Sequence, residues 1–142
     1  LRYDPTREQG ADVSLAYSAS GRAWLSALPE DHALALVAEQ GLTPLEGAAS
    51  GAHIGIGELI AILAGARDKG HAEAVDCFLE GMAAIAIPVL AKDGAVLGAL
   101  SVAGPAVRLS RDRRSACLPA LRAAASQIGE IHAASFFFRR QI

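Results

Sequence analysis

Several things are scarce in this chain, and each shortage closes a class of function. Cysteine is one: Cys77 and Cys117 are the only two in 142 residues. They stand far apart without metal-ligand spacing, so neither a disulfide framework nor a thiolate metal centre is expected, and a reduced, cytoplasmic setting is the default. Basic excess is missing too. Thirteen Lys and Arg stand against 15 Asp and Glu, a formal net charge of −2, which leaves no basic face of the kind DNA binding needs. No apolar run approaches the roughly 18 residues of a membrane span. The start, Leu1-Arg2-Tyr3-Asp4-Pro5, has no signal-peptide h-region. No membrane partner is expected, although 52% of the residues are hydrophobic and mean hydropathy is +0.31; alanine supplies much of both. There is no internal repeat.

Catalytic constellations are equally scarce. Ser18, Ser20 and Ser101 could each be a nucleophile, but no Gly-x-Ser-x-Gly elbow occurs, and Ala19-Ser20-Gly21 lacks its first glycine. His71 and Cys77 are six apart on an extended segment, on one side but beyond direct bonding at strand rise. Cys117 has no histidine nearby in sequence, and Glu46, Glu58, Asp76 and Glu80 form no metal-spaced set with histidine. Such side chains are mostly solvated. No metal, no cofactor and no catalysis are expected.

What is present is one domain's worth of chain, organised around residues 83–109. Two apolar runs, 83–90 and 95–103, flank Ala91-Lys92-Asp93-Gly94. Asp-Gly between β-type runs signals a hairpin, because glycine accepts φ > 0 and aspartate bonds back to the local backbone. Both runs are apolar on both faces, so the hairpin is expected inside the protein. Alternation puts Ile85, Ile87 and Val89 on one face with Val96, Leu100 and Val102. Ala84, Ala86 and Pro88 take the other, with Ala99, Ser101 and Ala103. A buried strip of Ala and Ser needs something large over it. Two fillings fit: a helix seated close to the sheet, or a ligand pocket.

Along the rest of the chain, residues 1–4 read as a short strand and 5–10 as a polar loop. Residues 13–16 form a second extended piece. Ser18 or Ser20 caps a helix to about Ala27; the start at Ser20-Gly21 offers backbone N–H groups that can hold a carboxylate. Pro29 opens a second helix to Gln40, which Gly41 stops. Residues 43–55 read as loop and 57–69 as a third helix, ended by Gly70. Residues 71–77 are extended and 78–82 turn. Gly104-Pro105 breaks the second hairpin strand. Ser110 caps a last helix with a heptad-like repeat of Leu118, Leu121, Ala125, Ile128 and His132, where Pro119 marks a kink or a late start. Phe136-Phe137-Phe138 before Arg139-Arg140 would be odd on a bare surface; it fits packing on a partner chain, on a missing segment or on the protein's own core. Helices alternating with antiparallel strands make the class α+β.

The hairpin followed by Ser101-Val102-Ala103-Gly104-Pro105-Ala106-x-Arg108-Leu109 resembles the end of the effector-binding domain of the IclR family of bacterial transcription regulators. Ser18-Ala19-Ser20-Gly21-Arg22-Ala23-Trp24-Leu25 and Leu28-Pro29-Glu30 are similar to that family's Thr-Ala-x-Gly-Lys-Ala-x-Leu and Leu-Pro-Glu. Gly41-Leu42-Thr43-Pro44 and Arg67-x-x-Gly70-His71-Ala72 fall between them in the family's order. The resemblance covers nearly the whole chain. It implies a GAF-like domain: an antiparallel sheet flanked by helices, with a ligand cleft on one side and a long C-terminal helix. It also implies that residues 1–142 are one such domain, N-terminally incomplete. The family's winged helix-turn-helix, its first helix and about two strands would precede Leu1. DNA contact would then belong to that absent domain.

By the same resemblance the effector is a small organic or aromatic acid. Its contacts fall on Ala19 and Ser20 at the helix start, with Ser20 and Gly21 N–H groups for a carboxylate. The family's acidic position falls on Ala74, or on Val75 or Asp76 if the register slips. Its cysteine position falls on Ala84, beside Met82, and its two serines on Ser101 and Ala103. Only Ser20 and Ser101 keep a polar side chain, which speaks against a hydrophilic acid such as glyoxylate and for an apolar or aromatic one. The expected cavity lies over Ala84, Ala99, Ser101 and Ala103, closed by Ala19-Ser20-Gly21. A homodimer or tetramer is expected from Phe136–Phe138 and an open sheet edge. The alternative is a stand-alone GAF-like binding or scaffolding domain without DNA function.

Overall fold

The computed structural model describes residues 13–44 and 48–139, the last seven as backbone only. The expected strand at 1–4, the loop at 5–10 and the Phe136–Phe138 side chains lie outside the described residues. Helix α1 spans Ala19–Ser26, α2 Glu30–Gln40 and α3 Ile56–Lys69. Strands β1 (Ala72–Val75), β2 (Met82–Leu90) and β3 (Val96–Pro105) follow, and α4 (Arg111–Arg139) closes the chain. The fold is α+β, with one antiparallel sheet of order β1-β2-β3.

Local chemistry sets most boundaries. Ser18, not Ser20, is the N-cap of α1: its Oγ accepts from the Gly21 N–H at 3.0 Å. Gly70 ends α3 in the left-handed region at φ 70°. Asp93 Oδ1 accepts from the Ala95 N–H at 3.0 Å, and Gly94 turns the hairpin at φ 85°. The segment before α1 is a turn rather than a strand, because Gln40 ties it down. Its Nε2 donates to Val13 O and its Oε1 accepts from Leu15 N, both at 2.8 Å.

Three more expectations change. Gly104-Pro105 does not break β3; the strand pairs Ala83 with Gly104 and Met82 with Pro105 before it ends. Proline is tolerated there because β3 is an edge of the described sheet. The hairpin is also only half inside. Ala83, Ile85, Ala86, Ile87 and Val89 of β2 are buried, but Ser101 and Ala103 of β3 are exposed. Finally, α4 starts well before Pro119, and its seam is not heptad-like. Leu121, Ala125 and Gly129 face the sheet at four-residue spacing, while Ile128 is 42% exposed. Gly129 is there because a Cβ would collide with Leu90 O.

The apolar interior has three parts. Tyr17, Leu25, Val37, Leu59 and Leu63 knit α1, α2 and α3 together. Ile85, Ile87 and Val89 pack with Leu100 and Val102 against Leu121 and Ala125 of α4. Between α1 and the other face of the sheet lies a layer made almost wholly of alanine: Ala19, Ala23, Ala66, Ala72, Ala74 and Ala86.

Candidate functional site

The register brings small residues opposite small ones: Ala84 with Ala103, Ala86 with Ser101 and Pro88 with Ala99. Side chains this short let α1 sit close, and it does so over Ala86 and Ala99. The helix starts partway along the strip, however. Beyond its first turn the strip is uncovered, and a cavity of about 200 Å³ remains.

Its walls include Ala19 and Ser20 from α1, Ala74 from β1, Met82 and Ala84 from β2, and Ser101 and Ala103 from β3. Helix and cavity therefore share one face, the helix at one end and the cavity at the other. Ala99 lies outside the cavity, in the alanine layer beneath α1. Gly21 lies outside it as well. Its N–H is taken by Ser18 Oγ, and a Cβ there would stand 2.5 Å from Leu15 O. The glycine lets the turn before α1 lie against the helix; it does not present an N–H to a ligand.

In β1, Ala74 pairs with Ala84 of β2. Ala74 is buried and lines the cavity, while Val75, one residue on, faces the other way and is 38% exposed. Asp76 is used elsewhere: at φ 57° it turns the chain, and its Oδ1 accepts from the Gly81 N–H at 2.7 Å. That turn carries Phe78 to the cavity wall. Phe78, Val13, Ser18 and Ala83 were not foreseen in the lining. Phe78 reads as a turn residue in sequence, and Val13 reaches the wall only through the Gln40 tether.

No lining side chain carries a charge. Ser18 Oγ is committed, donating to Ser14 O at 2.6 Å while it accepts from Gly21. The Ser20 and Ser101 hydroxyls are the remaining polar side chains of the wall, and Ser20 Oγ donates to Ser18 Oγ at 3.4 Å. Among the described residues, the backbone N–H groups of Ala19 and Ser20 have no acceptor. They lie at the positive end of α1, where an anion is favoured. An apolar chamber with neutral donors at one end can hold an amphipathic acid, its carboxylate at the helix start and its body over alanine and methionine. Among the described residues there is no group of His, Cys, Asp or Glu that could hold a metal ion, and no helix is long and apolar enough to cross a membrane. His71 Nδ1 contacts Lys69 O and Cys77 Sγ donates to Val75 O, so they form no pair with each other.

A profile of the family described as bacterial transcriptional regulator IclR C-terminal matches residues 5–130. Among solved structures, an IclR transcriptional regulator from a Silicibacter species superposes with a TM-score of 0.73 at 30% identity. That match covers 87% of this chain and 47% of the other. A transcriptional regulator from a Rhodococcus species gives 0.70 at 26% identity, covering 85% and 47%. The inducer-binding domain of the Acinetobacter transcription factor PobR, in complex with 3-hydroxybenzoic acid, gives 0.72 at 20% identity, covering 89% and 77%. The chain thus spans about half the length of the first two. None of the curated proteins searched matches it.

Proposed function

Because the chain belongs to the family of IclR C-terminal domains of bacterial transcriptional regulators, we propose that it is the part of such a regulator that senses a small acid. One observation carries this reading: the uncovered end of the alanine strip, an apolar cavity of about 200 Å³ whose wall includes Ala19 and Ser20 at the start of α1. The volume lies below the roughly 300–1,000 Å³ of pockets for drug-sized ligands, so a single-ring or short-chain acid is the fitting size. The apolar wall favours an aromatic body over a hydrophilic one such as glyoxylate. The PobR domain, described with 3-hydroxybenzoic acid, supports the same ligand class.

In this reading Ser20 and Ser101 orient the acid by hydrogen bonds, and Ala74, Met82, Ala84 and Ala103 shape the chamber. The domain binds and releases its ligand without changing it. The parent protein is cytoplasmic, assembles as a homodimer or tetramer through this domain, and contacts DNA through a separate winged helix-turn-helix.

A thermal-shift screen of substituted benzoates, aliphatic acids and glyoxylate tests the proposal, since a ligand that binds only the folded state raises its apparent stability. Monocyclic aromatic acids should raise the melting temperature with concentration and be recovered unchanged. Stabilisation by glyoxylate alone, or by no acid, would overturn the reading.

A further inference from the structure

We propose a second ligand site in this domain: a cationic cleft that takes a compact polyvalent oxyanion. The cleft, about 440 Å³, runs along β1 between α3 and the start of α4. β1 is an edge of the described sheet. Arg22, Lys69, Arg111 and Arg114 line the cleft, and Glu73 is the only carboxylate among its lining residues.

The charges do not balance. Glu73 is already used: Nε and Nη2 of Arg114 both reach its Oε2 at 2.8 Å. Arg22 is only 5% exposed, yet its described partners are neutral. Its Nε donates to Ala16 O at 2.7 Å and its Nη1 to Glu73 O at 3.0 Å. A guanidinium so enclosed gains from a counter-ion. Among the described residues, the side chains of Lys69 and Arg111 have no ion pair or hydrogen bond either. Among the described residues, four cations against one carboxylate leave three positive charges facing one space, in a chain whose formal net charge is −2.

The ligand class follows from the donors. Guanidinium groups match the planar or tetrahedral oxygens of carboxylates and phosphates, and several cations together favour a multiply charged anion over chloride. The α3 side of the cleft is built of small or apolar residues, among them Ala61, Gly65 and Ala66, which lets an oxyanion approach Arg22. The cleft is separate from the apolar cavity: the two share no lining residue.

Calorimetric and thermal-shift titrations with inorganic pyrophosphate and with citrate, at low salt, test this. Either should bind and raise the melting temperature, whereas sodium chloride at matched ionic strength should not. The tighter probe tells whether the natural anion carries phosphate or carboxylate. The double variant Lys69→Ala/Arg111→Ala alters two exposed side chains and should keep the native circular dichroism. It should weaken binding about tenfold or more, as loss of two partly screened charge contacts requires, while Ser101→Leu in the other cavity leaves it intact. Stabilisation no greater than with matched chloride would overturn the proposal, and so would unchanged affinity in the double variant.

Discussion

The two faces of the β2–β3 hairpin differ by one residue of register and have different fates. On one, Ile85, Ile87 and Val89 meet Leu100 and Val102 and are sealed by α4. On the other, Ala84, Ala86 and Pro88 meet Ala103, Ser101 and Ala99, and α1 covers only part of the strip. Large side chains fill the space between sheet and helix and hold the fold. Small ones let a helix come close where there is one and leave a chamber where it stops. One hairpin thus carries a stability face and a candidate ligand face.

Truncation should separate the faces most sharply. Ile85 is fully buried against α4, so Ile85→Ala should cost about 2–5 kcal/mol, read from urea denaturation. A loss below about 1 kcal/mol would mean that the large face is not the packed one.

Close approach gives the next largest effect, and here the faces should behave alike. Gly129 brings α4 onto Leu90, and Gly21 brings α1 onto the turn at Leu15. An added methyl at either must push backbone apart, so Gly129→Ala and Gly21→Ala should each cost about 1–3 kcal/mol. If Gly21→Ala were silent, α1 would not be seated as tightly as the alanine layer requires.

Removing the cap should cost less. Ser18→Ala leaves the Gly21 N–H without its acceptor and removes a donor from Ser14 O. A loss of about 0.5–2 kcal/mol is expected. Because the N–H groups of Ala19 and Ser20 are untouched by this change, acid binding should survive it, provided the measurement is made well below the melting temperature.

Much of this contrast was legible in the chain. Strict alternation of Ile and Val with Ala gave the two faces, the Asp93-Gly94 turn gave the pairing, and glycines at 41 and 70 marked helix ends where the structure has them. The misses share a physical cause: they depend on contacts distant in sequence. Gln40 ties residues 13–16, expected as an extended piece, into a turn and brings Val13 to the cavity. Asp76 folds a turn that delivers Phe78. The α4 seam runs through Gly129 rather than Ile128 because a strand carbonyl lies against it, which no periodicity within the helix reveals. Gly21 looked like a ligand contact, but its N–H is spent on Ser18, because hydrogen-bond capacity is settled only once the neighbours are placed.

Ser101→Leu tests the central claim most directly. Ser101 is exposed and lies on the small face at the cavity wall, so the larger side chain has room to enter the chamber without displacing a packed neighbour. Its melting temperature and its response to an aromatic acid that stabilises the parent domain should be recorded together. The account predicts stability within about 0.5 kcal/mol of the parent and complete loss of the acid-induced shift. A variant destabilised by about 1–3 kcal/mol, the signature of overpacking, or one that still responds to the acid, would contradict it.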